Sequence, residues 1–251
     1  MGQTLSFASI FLRTQLFAKL ENTNADLTGR TYLVTGSNTG LGLALAIHLA
    51  RLHPERLILA VRDLKKGDAA KEKIIAETGF KGSIEVWELD MASFASVTKF
   101  AERAKTTLKR LDGAVLNAGI NIWDWRVTED GWERTLQINV LSTGLLGVLL
   151  LPLLQATSKL PSPLPGSALP PHLTITGSEG AHIVCFLAKF SEKSAANILK
   201  TMNDESQSKK NMTDRYPTSK LFNLYLAREI AKLPQAQGVV VNVVAPRPLY
   251  D

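Results

Sequence analysis

Cysteine is nearly absent from this chain of 251 residues, in which Cys185 stands alone. One thiol cannot close an intramolecular disulfide or build a Cys-rich zinc site, and such usage fits a reducing compartment, the cytoplasm. No metal site is expected. Long hydrophobic runs are scarce as well: the longest, Val140 to Leu154, is shorter than a bilayer span and carries Gly144, Gly147 and Pro152, so it reads as a buried helix and not as a membrane insertion. There is no concentrated basic run either. The net charge of +6 is spread over helix faces, which is not the footprint of a nucleic-acid binder. Low-complexity tracts are missing, and 45% hydrophobic with 21% charged residues is the balance of a globular protein whose length suits one α/β unit with a large core.

The N-terminal stretch Phe7 to Leu20 has neither the basic start nor the small-residue cleavage site of a secretory signal. Its mix of Phe, Ile and Leu with Arg13 and Lys19 suits an amphipathic helix, so residues 1–25 are expected as a helical extension packed on the domain. The start Met1-Gly2-Gln3-Thr4-Leu5-Ser6 satisfies the loose myristoylation pattern, but a single acyl chain anchors only marginally. Stable membrane insertion is not expected.

Thr31 to Ala50, TYLVTGSNTGLGLALAIHLA, is where the chain declares its chemistry. An apolar run meets a glycine-punctuated turn and then an apolar helix. The spacing TGxxxGxG of Gly36, Gly40 and Gly42 provides a tight turn, bare backbone beside a pyrophosphate, and close packing of helix on strand. The N-terminus of the helix aims free N–H groups and a positive dipole end at the phosphates. The loop Gly36, Ser37, Asn38, Thr39, Gly40, Leu41 and Gly42 is thus the expected cradle of a dinucleotide.

Downstream, strands alternate with helices. Arg56 to Val61 is a second apolar strand, Lys65 to Thr78 a charged helix closed by Gly79, and Ser83 to Leu89 a third strand with Asp90 at its end. Ser93 caps a helix in which Phe94, Val97, Ala101, Ala104 and Leu108 recur at helical spacing. Gly113 to Leu116 is a short strand ending in Asn117-Ala118-Gly119. Thr128 is expected to cap a long helix through Asn139 toward Pro152, followed by a loop over Pro161 to Pro171. His172 to Thr176, a helix over Pro217 to Leu233 and a strand over Gly238 to Val244 complete the pattern. Near-continuous apolar strands alternating with helices imply a doubly wound, Rossmann-type parallel sheet of about six strands, covered by helices on both faces. Its ligand belongs at the carboxyl ends of the strands, where Gly36, Asp90, Asn117 and Ser178 fall.

Tyr216-Pro217-Thr218-Ser219-Lys220 sets a phenol and an ammonium one helical turn apart, facing the same ligand. A nearby cation favours the phenolate, which would bring Tyr216 toward a working acid/base range. Ser178 is placed to donate to a substrate oxygen, and Asn139 to hold a water or a backbone bend beside the lysine.

In this order TGSNTGLG, Leu89-Asp90-Met91, Asn117-Ala118-Gly119, Asn139, Ser178 and Tyr216-x-x-x-Lys220 resemble the short-chain dehydrogenase/reductase family, from about Asp26 to Pro246. The resemblance implies an NAD(P)-dependent oxidoreductase. Tyr216 would be its acid/base, Lys220 would lower the Tyr216 pKa and bind the nicotinamide ribose, Ser178 would orient the carbonyl or alcohol, and Asn139 would complete a proton relay. Asp90 and Met91 would border the adenine, and Asn117, Ala118 and Gly119 the cofactor. The context Asp214-Arg215-Tyr216-Pro217-Thr218-Ser219-Lys220 is most similar to retinol-dehydrogenase-like members, including fungal ones of secondary metabolism. At the end of the second strand Arg62 favours a 2′-phosphate and hence NADP(H) over NAD(H), although Asp63 follows it.

Two departures from the family accompany this reading. The 38 residues from Ser178 to Tyr216 make a long connection, with an exposed helical insertion expected at about 185–212. After the sixth strand the sequence runs Ala245-Pro246-Arg247-Pro248-Leu249-Tyr250-Asp251, where the family has Pro-Gly, a lid helix and a further strand, so lid and last strand are expected to be missing. Apolar residues on the helices at Thr128–Gln155 and Pro217–Leu233 exceed what one sheet face can cover, which points to a homodimer. Two functions stay open: a reductase or dehydrogenase of a small apolar carbonyl or alcohol, or a non-catalytic nucleotide-binding descendant acting as a partner or regulator.

Overall fold

A computed structural model describes residues 25–167, 169–181 and 191–246. The extension expected over 1–25, Cys185, and Arg247 to Asp251 therefore lie outside the described residues, apart from Ala25 itself.

Six parallel strands form one sheet in the order β3-β2-β1-β4-β5-β6, with β1 at Thr31–Thr35, β2 at Arg56–Val61, β3 at Ser83–Glu88, β4 at Gly113–Leu116, β5 at His172–Thr176 and β6 at Val240–Val244. The strand order reverses between β1 and β4, and a crevice opens there at the carboxyl ends. Helices α1 (Gly40–Arg51), α2 (Leu64–Thr78), α3 (Phe94–Thr107) and α4 (Arg134–Ser158) alternate with the strands. Among the described residues from 191 on, two short α-helices, α5 (Ile198–Met202) and α6 (Glu205–Ser208), precede α7 (Met212–Ile230).

Residues one apart on a strand point to opposite faces, and the two cores follow that rule. Leu33, Ile58 and Ala60 pack with Trp87, Val97, Phe100, Leu146, Leu150 and Ile230, beneath α3, α4 and α7. Val34, Leu57 and Leu59 pack with Ala46, Leu49, Ala70 and Ile74, beneath α1 and α2. Both faces are covered, which is why the strands read as continuous apolar runs. Ser93 caps α3 by accepting from the Ser96 amide, and Gly79 closes α2 in the left-handed conformation at φ 63°.

Several boundaries differ from expectation. Thr128 does not cap α4; the helix starts at Arg134, and the buried carboxylate of Glu133 is its cap, accepting from the Thr135 and Leu136 amides at 2.8 and 2.9 Å. Thr128 instead belongs to a tight turn, its amide bonded to the Trp132 carbonyl, that depends on Gly131 at φ 81°. Within α4, Gln137–Leu141 is a π-helical segment. Helix α4 is long and apolar enough to cross a bilayer, but 61% of its most apolar stretch is buried inside the domain, so its apolarity serves the core. Helix α7 begins at Met212, five residues before Pro217, because the preceding short helices lead into it directly. Strand β6 starts at Val240, since Gly238 turns at φ 80°.

Of the insertion expected at about 185–212, residues 185–190 lie outside the described residues; segment 191–211 exposes Lys193, Asn197, Lys200 and Glu205 among others, but is also anchored from below. Met202 is fully buried against Leu136 and Val140, with Trp132, Phe222 and Leu226 packed around them. Apolar burial of this kind gives the segment a fixed seat over α4 and α7.

Candidate active site

The cleft at the strands' carboxyl ends holds about 550 Å³. Its walls include Gly36, Asn38, Thr39, Leu41 and Gly42 from the glycine loop, Arg62 beyond β2, Asp90 and Met91 beyond β3, Asn117, Ala118 and Gly119 beyond β4, and Tyr216 and Lys220 from α7. The fold thus brings nearly the whole expected set to one hollow. Gly40 does not line it, Ser37 is fully buried away from it with a hydroxyl that has no hydrogen-bond partner among the described residues, Asn139 is buried next to the lining residue Ile138, and Ser178 is half-buried beside Tyr216 without lining it. Ser37 follows Gly36 into the protein, because that glycine turns the chain at φ 65°.

Glycine is required here by contact as much as by conformation. A Cβ on Gly42 would lie 2.3 Å from the Gly36 carbonyl oxygen and 2.6 Å from Asn117 Nδ2, and one on Gly36 would meet Ala118 Cα at 3.0 Å. Thr39 precedes α1 in extended conformation without capping it by its side chain, and the first turn holds no acidic residue. The positive end of α1 is left facing the cleft, as an anion cradle needs. These features fit the pyrophosphate of a dinucleotide.

The strand ends are cross-tied. Thr35 Oγ1 accepts from the amides of Asn117 and Ala118, both at 2.9 Å, and Asn117 Nδ2 donates to the Thr35 carbonyl at 3.1 Å. Thr176 Oγ1 reaches Asn117 Oδ1 at 3.4 Å. Asn117 therefore sets the cleft floor. Asp90 accepts from the Ala92 amide through Oδ1 at 2.8 Å, while its own amide is held by Ser96 Oγ at 2.9 Å. Arg62 is exposed on the rim. Asp63 turns away to cap α2, accepting from the Lys66 amide at 3.2 Å.

The groups with acid/base chemistry meet at the far end of the cleft. Ser178 is hydrogen-bonded to Tyr216, and its Oγ accepts from the Gly180 amide at 3.2 Å. Lys220 donates to the Thr176 carbonyl at 2.7 Å, with its ammonium 5.6 Å from the centre of the Tyr216 ring. Asn139 holds the backbone at Ile120 from both sides, accepting from its amide and donating to its carbonyl at 2.9 Å each. Of the two roles open to Asn139, this one is the backbone bend, made within the π-helical segment. Its Nδ2 also donates to Ser219 Oγ at 3.0 Å, and that hydroxyl donates on to the Tyr216 carbonyl at 2.6 Å. Gly119 lets the lysine and the asparagine approach; a Cβ there would sit 3.2 Å from Asn139 Oδ1 and 3.6 Å from Lys220 Nζ.

The electrostatics correct one expectation. Burial pushes the Tyr216 phenol up from its ordinary value, and the bond to Ser178 pulls it partly back. Burial also brings the Lys220 ammonium down to about 8. Desolvation thus sets the direction of the Tyr216 shift, with the Ser178 bond opposing it. Thr35, Thr176 and Ser219 were not singled out from the sequence, since isolated Ser and Thr carry no pattern.

A family model for short chain dehydrogenases matches residues 30–159, from the entry to β1 through the whole of α4. The chain belongs to the short-chain dehydrogenase/reductase family. Members of this family are oxidoreductases that use NAD(P)(H) and act on small molecules. Short chain dehydrogenase atnD of Emericella nidulans is 41% identical over 245 residues, 96% of this chain and 74% of that protein. Short chain dehydrogenase/reductase dmxR8 of Cryptosporiopsis is 40% identical over 241 residues, 94% of this chain and 71% of the other. Among solved structures, a short-chain dehydrogenase from Sphingobium yanoikuyae in complex with NADPH shares the fold at a TM-score of 0.60 and 20% identity, over 87% of this chain and 71% of that one.

Proposed function

We propose that this family member is an NADP(H)-dependent oxidoreductase that reduces a small apolar ketone or aldehyde, or oxidises the corresponding secondary alcohol, within secondary metabolism. One observation carries the reading: Tyr216, bonded to Ser178 and one turn from Lys220, closes the end of a cleft whose other end is the glycine loop Gly36–Gly42. A bound nicotinamide cofactor would supply or take up the hydride. For carbonyl reduction, Ser178 holds the substrate oxygen by donating to it, and the Tyr216 phenol delivers its proton as negative charge develops there. A phenol kept protonated by burial is suited to the donor's part. Lys220 would hold the ribose and favour the phenolate left behind, while Asn139 and Ser219 keep α7 aligned with the loop at Ile120.

The cofactor preference rests on Arg62 at the rim, with Asp63 committed to capping α2 and so turned from a ribose. The cradle would use Gly36, Asn38, Thr39, Gly40, Leu41 and Gly42, with Asp90 and Met91 at the adenine and Asn117, Ala118 and Gly119 along the floor. A homodimer on α4 and α7 would rely on the exposed Val148 and Tyr225, because segment 191–211 covers Phe222 and Leu226.

Titration with NADPH and NADH tests the reading. A charge-assisted phosphate contact is worth about 1.5–3 kcal/mol, so NADPH should bind about tenfold or more tightly, and Arg62→Asp should reverse the order. In a carbonyl panel Tyr216→Phe should lower kcat by about 100-fold with NADPH affinity kept. Equal affinities would sink the cofactor assignment, and binding without turnover would favour the regulatory alternative.

A further inference from the structure

Arg215, the residue before Tyr216, is only 2% exposed. Its guanidinium lies between two buried carboxylates from distant parts of the chain, with Nε 3.6 Å from Glu133 Oε2 and Nη2 3.9 Å from Glu192 Oε1. Burying three charges is expensive, several kcal/mol for each ion before their mutual attraction is counted. Both contacts are ion pairs longer than hydrogen bonds, so the cluster ties its elements by charge.

Each member is tied to a different element. Glu133 is the cap of α4, the helix that bears Asn139. Glu192 sits in the turn Ser191–Ser194 and accepts from Ser208 Oγ at 3.1 Å. Asn203, from the same segment, accepts from the Glu133 amide at 2.6 Å and donates to the Gly131 carbonyl at 3.0 Å. Arg215 stands on the first turns of α7, just before Pro217. Proline has no N–H to offer the carbonyl four residues back, that of Thr213, and its ring crowds that carbonyl. The opening turn of α7, which carries Tyr216, is therefore the part of the helix least secured by its own hydrogen bonds.

We propose that Arg215 is a positioning residue: held by Glu133 and Glu192, it fastens the proline-weakened first turn of α7 to the start of α4 and so aims Tyr216 at Ser178. Segment 191–211 is then part of what aims the phenol. The activity arm of this proposal rests on the function proposed above; its structural arm does not.

The test uses the full chain. In Arg215→Met, hydrogen exchange of the peptide spanning 212–220 should quicken about tenfold while peptides of β1 and β4 keep their protection, and the Kd for NADPH should stay within about twofold. With NADPH and 9,10-phenanthrenequinone as probe, kcat should fall about tenfold, since a displaced proton donor loses rate and not cofactor binding. Arg215→Lys should recover part of both. If Arg215→Met does not fold, Glu192→Gln carries the same test, with about threefold effects in the same directions. A folded variant with unchanged exchange at 212–220 and kcat within twofold overturns the proposal, and so does exchange that rises evenly over the sheet. If the unmutated chain reduces no carbonyl, exchange alone decides this proposal, and the failure belongs to the proposed function.

Discussion

Lys220 is 4% exposed and keeps its ammonium against the Thr176 carbonyl. Its folded pKa of about 8 lies below the ordinary 10.5, so between those values the unfolded chain binds the extra proton. Stability to unfolding then rises with pH across that window, by up to about 1.4 kcal/mol per pH unit, whereas below about pH 8 the buried charge is a constant liability. Urea unfolding of Lys220→Met beside the unmutated protein, from pH 7 to 10.5, should show the difference between the two curves changing in this window and flat below it. Parallel curves throughout would mean that the lysine is not desolvated. At this scale the sequence was informative about which residues the fold brings together, because Tyr-x-x-x-Lys is a spacing. The direction of the Tyr216 shift was hidden, since it depends on how much protein surrounds the ring.

At the scale of elements, the glycine loop and α1 divide the work between space and conformation. Gly42 has no room for a Cβ beside the Gly36 carbonyl, while Gly40, at φ 55°, faces nothing within 4 Å. Gly42→Ala should therefore destabilise the fold by about 1–3 kcal/mol through overpacking and weaken NADPH about tenfold or more. Gly40→Ala should cost only the about 1–2 kcal/mol of left-handed backbone. Denaturant unfolding together with Kd measurements would separate them, and equal losses of affinity would argue against the close packing seen at Gly42. The motif was legible because its three glycines are spaced. The start of α4 was not. Thr128 looks like a cap, yet the turn at Gly131 delays the helix until Glu133, and the π-helical segment arises where Asn139 must reach Ile120.

For the whole molecule, the end of the sheet opposite the cleft is closed by a buried ion cluster. Arg30, just before β1, donates to Asp112 Oδ1 and to the Leu169 carbonyl, both at 3.3 Å, and to the Ser167 carbonyl at 3.0 Å. Asp112 also accepts from the Thr31 amide at 2.9 Å and from Arg110 Nε at 2.8 Å. One arginine thus binds the entrances of β1 and β4 to the proline-rich loop. Arg30→Ala leaves Asp112 paired with Arg110 and the Thr31 amide but strips the donor from the Leu169 and Ser167 carbonyls, and should cost about 1–3 kcal/mol of unfolding free energy. NADPH affinity of the folded variant should stay within about twofold, since the cleft lies at the other end of the strands. An unchanged urea midpoint would contradict this account.

By itself the sequence determined the alternating α/β architecture, the glycine loop at the head of α1 and the family, because each is written in local spacing: apolar runs, glycines and a tyrosine one turn from a lysine. Only the tertiary structure decided how those parts are held. Thr35 beneath Asn117, Ser219 between Asn139 and Tyr216, and Arg215 between Glu133 and Glu192 join residues up to 82 positions apart. No local pattern encodes such pairs. They exist because a parallel sheet returns every strand's carboxyl end to the same edge, where polar groups removed from water must find partners in one another.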